Sequence, residues 1–305
     1  MQDLPPPAAG TAKVKIVHRA VPKLLAREQY TQRTPEWYDI RKTMMTASDA
    51  AGALGIPAFK GQRNVRDSLL KQKVSGTFTG NHMTRHGQDS EDQVRERAMV
   101  ALGEIAWEVG LVVHPELTWL GASPDGVTNT GRLIEIKSPY KRKPIPNYIP
   151  AHYYPQIQVQ LECTDLDECY FIQWQPSNLA PDNEEIFCII LVERDRQWFA
   201  DNVDALKSFH TDLMELRKNY VPPPPPTCGI NMSLYDTHVQ TENHGSTTTE
   251  DTSCDDIVSP SFTGKRTYVI ESSDSEDEEF RSLKLKLQSA LEALDSWSHR
   301  KKKKF

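Results

Sequence analysis

The chain has 305 residues, with 36 Lys plus Arg against 42 Asp plus Glu, a formal net charge of −6 and 38% hydrophobic residues. That apolar content suffices for one domain of about 200 residues carrying tails. A mean hydropathy of −0.58, the lack of an apolar run near about 18 residues and the lack of a charged-apolar-small leader exclude a membrane span and lead to the expectation of a soluble intracellular protein.

Residues 1–26 open with Pro5, Pro6 and Pro7 and continue as a basic stretch without period, which predicts a flexible lead-in. Thr34 and Pro35 are a helix cap and a first helical residue. Residues 47–54 and 65–73 follow as short helices, and residues 86–102 as a longer one with Val94, Ala98, Ala101 and Leu102 on one face. The period then changes. Residues 109–113, 118–122, 133–136, 169–175 and 186–192 are β-branched or aromatic runs bounded by turn residues, hence strands. A helix over 154–162 separates the third from the fourth, and a long amphipathic helix over 195–220 closes the domain. Helices, three strands, helix, two strands and helix predict an α/β fold, a mixed central β-sheet flanked by helices, with disordered N- and C-terminal tails.

The prolines from Pro222 to Pro226 end the folded core. Residues 221–305 hold 14 Asp plus Glu and 10 Lys plus Arg, net −4, which leaves the first 220 residues at net −2. Most of the acidity therefore belongs to the tail. The domain reading is 1–26 as lead-in, 27–220 as the folded domain, 221–279 as a disordered Pro/Ser/acidic linker and 280–305 as an amphipathic helix with a basic tail. Five cysteines, with no C-x-x-C pair, suggest neither a disulfide framework nor a zinc knuckle. His82 and His86 have the spacing of a helical metal pair but lack the Glu a zincin needs, so ordinary polar roles are expected.

Chemistry concentrates in Ser123-Pro124-Asp125-Gly126 and Glu135-Ile136-Lys137, with Asn129 and Gly131 between them as hairpin-turn residues. Alternation along a strand puts Glu135 and Lys137 on one face and Ile134 and Ile136 on the other. Charges among buried isoleucines are costly unless satisfied. A divalent cation held by Asp125 and Glu135 would satisfy them, and Mg²⁺ or Mn²⁺ suits such oxygen donors. Lys137 would orient an attacking water and stabilise developing phosphate charge. The alternative is a salt-bridged surface hairpin.

These residues resemble the PD-(D/E)XK nuclease superfamily, and within it the phage lambda exonuclease and YqaJ-type viral recombinase family. Pro124-Asp125 and Glu135-Ile136-Lys137 match the superfamily signature. Arg85, Gly87 and Glu91 resemble its R-x-G-x-x-x-E element. Gln156-Ile157-Gln158 resembles its Q-x-Q, and Arg41, Thr46-Ala47-Ser48 and Ser123 its pocket for a terminal 5′-phosphate. The resemblance spans about residues 27–215. It implies a restriction-endonuclease-like core and two Mg²⁺ or Mn²⁺ ions. Asp125 would be shared by both ions, Glu135 and the Ile136 carbonyl would bind the first, and Glu91 the second. The run Asp89-Ser90-Glu91-Asp92 departs from the family by offering extra carboxylates. Catalytic roles are implied for Glu91, Asp125, Glu135, Lys137 and Gln156, and 5′-phosphate binding for Arg41, Ser48 and Ser123. For Arg41 the alternative is an ion pair with Asp39 or Glu36 on its own helix. A homotrimer threading DNA is a further implication.

Lys141, Arg142 and Lys143, with Tyr140 and Tyr148 beside them, form a basic-aromatic stretch suited to a DNA backbone. Trp37, Trp107, Trp119 and Trp174 are expected to pack in the core. In the tail, Thr267-Tyr268-Val269-Ile270 followed by acids is similar to a SUMO-interaction motif, with Val269 and Ile270 central, or is an acidic solubilising tract. Phe280, Leu283, Leu287, Ala290, Leu294 and Trp297 trace a helical stripe. The final His-Arg-Lys run resembles a nuclear localisation signal, so the nucleus is the expected location. The function expected is a metal-dependent 5′ to 3′ exonuclease on double-stranded DNA ends, serving recombination, repair or viral DNA processing. A structure-selective endonuclease and a noncatalytic DNA-end-binding scaffold with a partner-recruiting tail are the alternatives.

Overall fold

The computed structural model describes residues 17–76, 82–180, 182–222 and 267–269, of which 82–84 and 267–269 are described through their backbone. In chain order the elements are α1 (Ala20–Leu25), α2 (Pro35–Thr43), β1 (Met45–Thr46), a 3₁₀ turn (Ala47–Asp49), α3 (Ala50–Ala53), α4 (Val65–Ser75) and α5 (His82–Leu102). Strands β2 (Ala106–Trp107), β3 (Val112–Val113), β4 (Leu120–Ala122), β5 (Gly126–Thr128) and β6 (Arg132–Lys137) follow. Then come α6 (Tyr154–Thr164), β7 (Glu168–Gln175), β8 (Ile186–Glu193), α7 (Arg196–Lys218) and β9 (Thr267–Val269). The expected mixed α/β architecture is the observed one.

The main sheet runs in the order β2-β5-β6-β7-β8-β9, and a small sheet in the order β1-β4-β3. Strands β5 and β6 form an antiparallel hairpin, with Gly126 opposite Ile134. Its turn depends on Gly131, whose φ of +85° disfavours a side chain and whose Cβ would stand 2.6 Å from His18 Nδ1. Strands β6 and β7 are parallel, which requires a crossover, and α6 supplies it.

The sheet is covered on both faces. On one, Leu133, Val127 and Phe171 pack with Ile157 and Leu161 of α6 and with Phe209 and Leu213 of α7. On the other, Ile134, Ile136, Ile172 and Ile189 pack with Val94 and Ala98 of α5. Glu135 and Lys137 thus share the α6 face instead of facing water. Cys163, Cys169 and Cys188 are buried free thiols. Among the described residues, no helix is long and apolar enough to cross a membrane.

Two boundaries differ from expectation. Ala20–Leu25 lies inside the stretch read as a flexible lead-in, yet it is helical and buries Val21 and Leu24 at 1% and 2% exposure. The apolar pair occupies a six-residue helix, too short for periodicity to declare it. Thr267–Val269 lies inside the stretch read as a disordered linker, yet it pairs antiparallel with β8. The short strands β2 and β5 are also not distinguishable in the sequence from their neighbouring turns. Ile270, the acidic run after it, the helical stripe over 280–297 and the terminal basic cluster lie outside the described residues.

The burial of α1 has a measurable consequence. Leu24→Ala should destabilise the fold by about 2–4 kcal/mol, the range for emptying a well-packed core site. Urea denaturation followed by circular dichroism checks this, and a change below about 0.5 kcal/mol would return residues 17–26 to the status of a loose lead-in.

Candidate functional site

Glu135 lies on the central strand β6 and is 1% exposed. Three cationic or amide donors hold its carboxylate. Gln156 Nε2 donates to Oε1 at 2.7 Å, Gln160 Nε2 donates to Oε2 at 2.6 Å, and Lys137 Nζ stands 2.5 Å from Oε1. The two glutamines are four residues apart, so α6 presents both amides on the face that meets β6. Gln156 is identifiable from sequence and Gln160 was missed. Gln160 is fully buried and its Oε1 has no hydrogen-bond partner among the described residues. The i, i+4 spacing was the available signal, but an amide's partner on a distant strand cannot be read from spacing alone.

Asp125 occupies the entry to β5. Its Oδ2 accepts from Ile136 N at 2.6 Å, and its own N donates to Ile134 O at 3.0 Å, so the carboxylate is fastened across the hairpin. Arg95 Nη1 donates to the Asp125 carbonyl at 2.9 Å and also approaches Glu91 Oε1 at 3.5 Å, which ties α5 to the hairpin. Glu91 is further paired with Arg33 at 2.6 Å. A cavity of about 330 Å³ opens here, lined by Glu91, Asp92, Arg95, Glu108 and Asp125 together with Gln29, Thr31, Gln32 and Arg33. Arg33 and Arg95 were not singled out from sequence.

Burial pushes the Asp125 carboxyl well above the usual aspartate range, and the nearby Glu135 and Glu91 push it further, with Lys137 opposing. Glu91 is raised by burial, while Arg33 and Arg95 pull it down and Asp92 and Glu135 push it up. For Lys137, burial lowers the pKa, but Glu135 and Asp125 outweigh it and the net direction is upward, keeping the ammonium charged. Three carboxylates thus repel one another around a single lysine. Hard oxygen donors in such an arrangement fit a hard divalent cation, which would relieve the repulsion. Among the described residues, however, no three His, Cys, Asp or Glu side chains stand close enough together to hold a metal ion. Glu91 is turned toward Arg33 and Arg95. The donor set therefore fits a cation completed by water or substrate oxygens, not an all-protein cage. Ile136, whose carbonyl belongs to the expected set, lies in β6 opposite Ile172 of β7.

The second group surrounds α2. Arg41 Nη2 donates to Ser48 Oγ at 2.8 Å, and its guanidinium lies 4.3 Å from the centroid of the Trp37 ring. The Trp37 indole N–H donates to Ser123 Oγ at 3.0 Å. Arg41, Ser48 and Ser123 are thereby brought together, with Trp37 as the bridge. Sequence reading puts Trp37 in the core; it is half-buried, with its indole N–H engaged by Ser123. The alternative pairing of Arg41 with Asp39 or Glu36 is absent, since Asp39 pairs with Lys42 at 2.6 Å. Burial lowers the Arg41 pKa, with Asp49 opposing, but a guanidinium stays charged at any working pH.

The basic stretch is only partly presented to solvent. Arg142 Nη2 donates to Gln173 Oε1 at 2.7 Å and its guanidinium lies 5.9 Å from the Tyr153 ring, while Lys143 pairs with Asp182. Lys141 is exposed. Lys137 also lies 5.2 Å from the Tyr153 ring, so Tyr153 joins the carboxylate and basic groups. His86 stacks on Trp174 with centroids 6.3 Å apart, in line with a packing role; the His82 side chain lies outside the described residues.

Residues 36–167 match the family model described as the YqaJ-like viral recombinase domain. Among curated proteins, the chain is 31% identical over 169 residues to uncharacterized protein R354 of Acanthamoeba polyphaga mimivirus, covering 48% of this chain and 29% of that protein. It is 27% identical over 168 residues to protein D345L of African swine fever virus (strain Badajoz 1971 Vero-adapted), covering 44% and 46%. The chain thus spans less than half the length of these two viral relatives. Among solved structures, LHK-Exo, an alkaline exonuclease from Laribacter hongkongensis, is 30% identical, with 61% of this chain and 95% of that chain covered and a TM-score of 0.47. The same enzyme in complex with dAMP matches at 28% identity and a TM-score of 0.49, with the same coverage. A phage-related exonuclease from Haemophilus somnus 129PT matches at 15% identity and a TM-score of 0.42, covering 57% and 93%.

Two outcomes are expected of the site in chelator. Asp125 has a folded-state pKa above its unfolded one, so the folded chain binds its proton more tightly. Stability is then greatest below the unfolded pKa of about 3.9 and declines as pH rises toward the folded value. Asp125→Asn should flatten that decline and be the more stable protein near about pH 7. Urea midpoints measured from about pH 4 to 8 decide it. Gln160→Leu should cost about 1–3 kcal/mol because it strips a donor from a buried carboxylate. Gln156→Leu should cost less, since its half-exposed site lets water replace the amide, and equal losses would show that Gln160 has no special hold on Glu135.

Proposed function

Given that the chain belongs to the YqaJ-like viral recombinase family, whose domain it carries over residues 36–167, we propose that it is a metal-dependent DNA exonuclease that degrades double-stranded ends from the 5′ terminus. The observation that carries this reading is the joining of two groups by the segment Ser123-Pro124-Asp125: Ser123 touches the Trp37–Arg41–Ser48 cluster, and Asp125 belongs to the carboxylate cluster. One group suits a terminal phosphate monoester, the other a phosphodiester under attack.

Asp125, Glu135 and the Ile136 carbonyl would hold Mg²⁺ or Mn²⁺, and Glu91 a second ion through water; such ions supply activation of water and neutralisation of phosphate charge. Lys137, kept protonated beside Glu135, donates to the nucleophile or to the phosphoryl oxygen and fixes its approach. Gln156, the half-exposed member of the amide pair, keeps Glu135 oriented while lying at the margin where a water must enter. Gln160 keeps the other carboxylate oxygen from rotating away. Arg41 offers a fork of N–H donors to a 5′-phosphate, and Ser48 and Ser123 add hydroxyls. The 30% identity to LHK-Exo, an alkaline exonuclease, supports this reading.

The test is digestion of end-labelled linear duplex with Mg²⁺, beside the same DNA as a closed circle. The linear duplex should lose nucleotides from its 5′ ends while the circle survives. Degradation of the circle would replace the exonuclease by an endonuclease, and no hydrolysis of either would leave a DNA-end binder. Lys137→Met should reduce the rate by about a hundredfold or more. Arg41→Ala should shrink the preference for 5′-phosphate over 5′-hydroxyl ends by about tenfold, the scale of one charge-assisted hydrogen bond. An unchanged preference would remove Arg41 from the phosphate pocket.

A further inference from the structure

Strand β8 would be the edge of the main sheet were it not for β9. Its run Ile186-Phe187-Cys188-Ile189-Ile190-Leu191-Val192 is apolar, and an apolar edge with unpaired N–H and C=O groups is a template for any further strand. Thr267–Val269 fills that position antiparallel, with Val269 opposite Cys188, Tyr268 opposite Ile189 and Thr267 opposite Ile190. The segment that caps the edge is the one whose sequence, a β-prone patch followed by Glu271 to Glu279 with six acids among nine residues, suits strand addition to a partner with a basic rim. One short segment thus carries two strand-pairing capacities.

Successive residues of an antiparallel strand present their N–H and C=O groups to alternate edges. A strand three residues long therefore offers the groups of only one or two residues to either edge, too few to hold two partners in register at once. We propose that residues 267–269 bind either β8 of their own chain or the sheet edge of a separate small β-domain with a basic rim, of the SUMO type, and that the two states exclude each other. The nuclease domain is then the cover of its own recruitment motif, and capture of the motif by a partner bares the β8 edge. The covering strand is intramolecular and competes at a high effective concentration. This inference does not depend on the exonuclease reading, since it concerns the sheet edge remote in sequence from Asp125 and Glu135.

Hydrogen exchange of the full chain, with SUMO as the probe, tests it. Among Cys188–Ile190, whose amides alternate between β7 and β9, those that point to β9 should be protected in the full chain and exposed by Val269→Pro, which disfavours the paired strand without touching the core. Saturating SUMO should speed their exchange at least about tenfold, while amides of β7 stay unchanged. SUMO should also bind a peptide of residues 262–280 at least about tenfold more tightly than the full chain, and Val269→Ala with Ile270→Ala should abolish binding to both. Equal exchange in the wild type and Val269→Pro would overturn the docking. SUMO binding that leaves the amides pointing to β9 protected, equal affinity for peptide and full chain, or no binding to the peptide would each overturn the exclusion.

Discussion

A carboxylate at 1% exposure in the middle of a sheet is the constraint around which this domain is arranged. Left alone, Glu135 would cost several kcal/mol or take up a proton. It is kept in place because α6, the crossover that parallel pairing of β6 and β7 demands, turns two amides toward it, and because the next outward position of its own strand is a lysine. Topology and satisfaction of charge are therefore the same feature. A helix placed here for packing reasons alone would carry leucines at positions 156 and 160.

The rest of the centre is built by fastening further pieces to β6. The hairpin turn sets the register that delivers Asp125 to the backbone of Ile136. Helix α5 reaches the same hairpin through Arg95, which bonds the Asp125 carbonyl and approaches Glu91. The adjoining residues Val94 and Ala98 pack on Ile134 and Ile136. Apolar and polar contacts thus hold the two elements in one relative position. The mutual repulsion of Asp125, Glu135 and Glu91 is offset by the partners each has: Lys137 and two amides on Glu135, Arg33 and Arg95 on Glu91, and the Ile136 N–H on Asp125.

Much of this was legible in the sequence. Period and turn residues located the long helices and the strands β6, β7 and β8, because those elements are long enough for alternation to show. The hairpin and its carboxylates were legible because Asp125, Gly131, Glu135 and Lys137 lie within thirteen residues of one another. What sequence did not disclose is what joins distant segments. Gln160 matters through a strand 25 residues away, Trp37 through Ser123, Arg33 through Glu91 and Leu24 through the main core. None of these carries a local signature. The net charge of −6 was misleading for the same reason, since it averages an acidic tail with a nearly neutral domain whose charges are locally paired.

The segment Ser123-Pro124-Asp125 is held at every step: Ser123 by the Trp37 indole, the Pro124 carbonyl by the Gln32 amide, and Asp125 by Ile134, Ile136 and Arg95. Two backbone steps span at most about 7 Å. On the proposed function, the place where a strand end is sensed and the place where it is cut are separated by a length that the protein cannot easily alter. Under that proposal the segment would act as a ruler, and the size of the fragment released at each cycle would be set by the polypeptide backbone rather than by how the DNA happens to arrive.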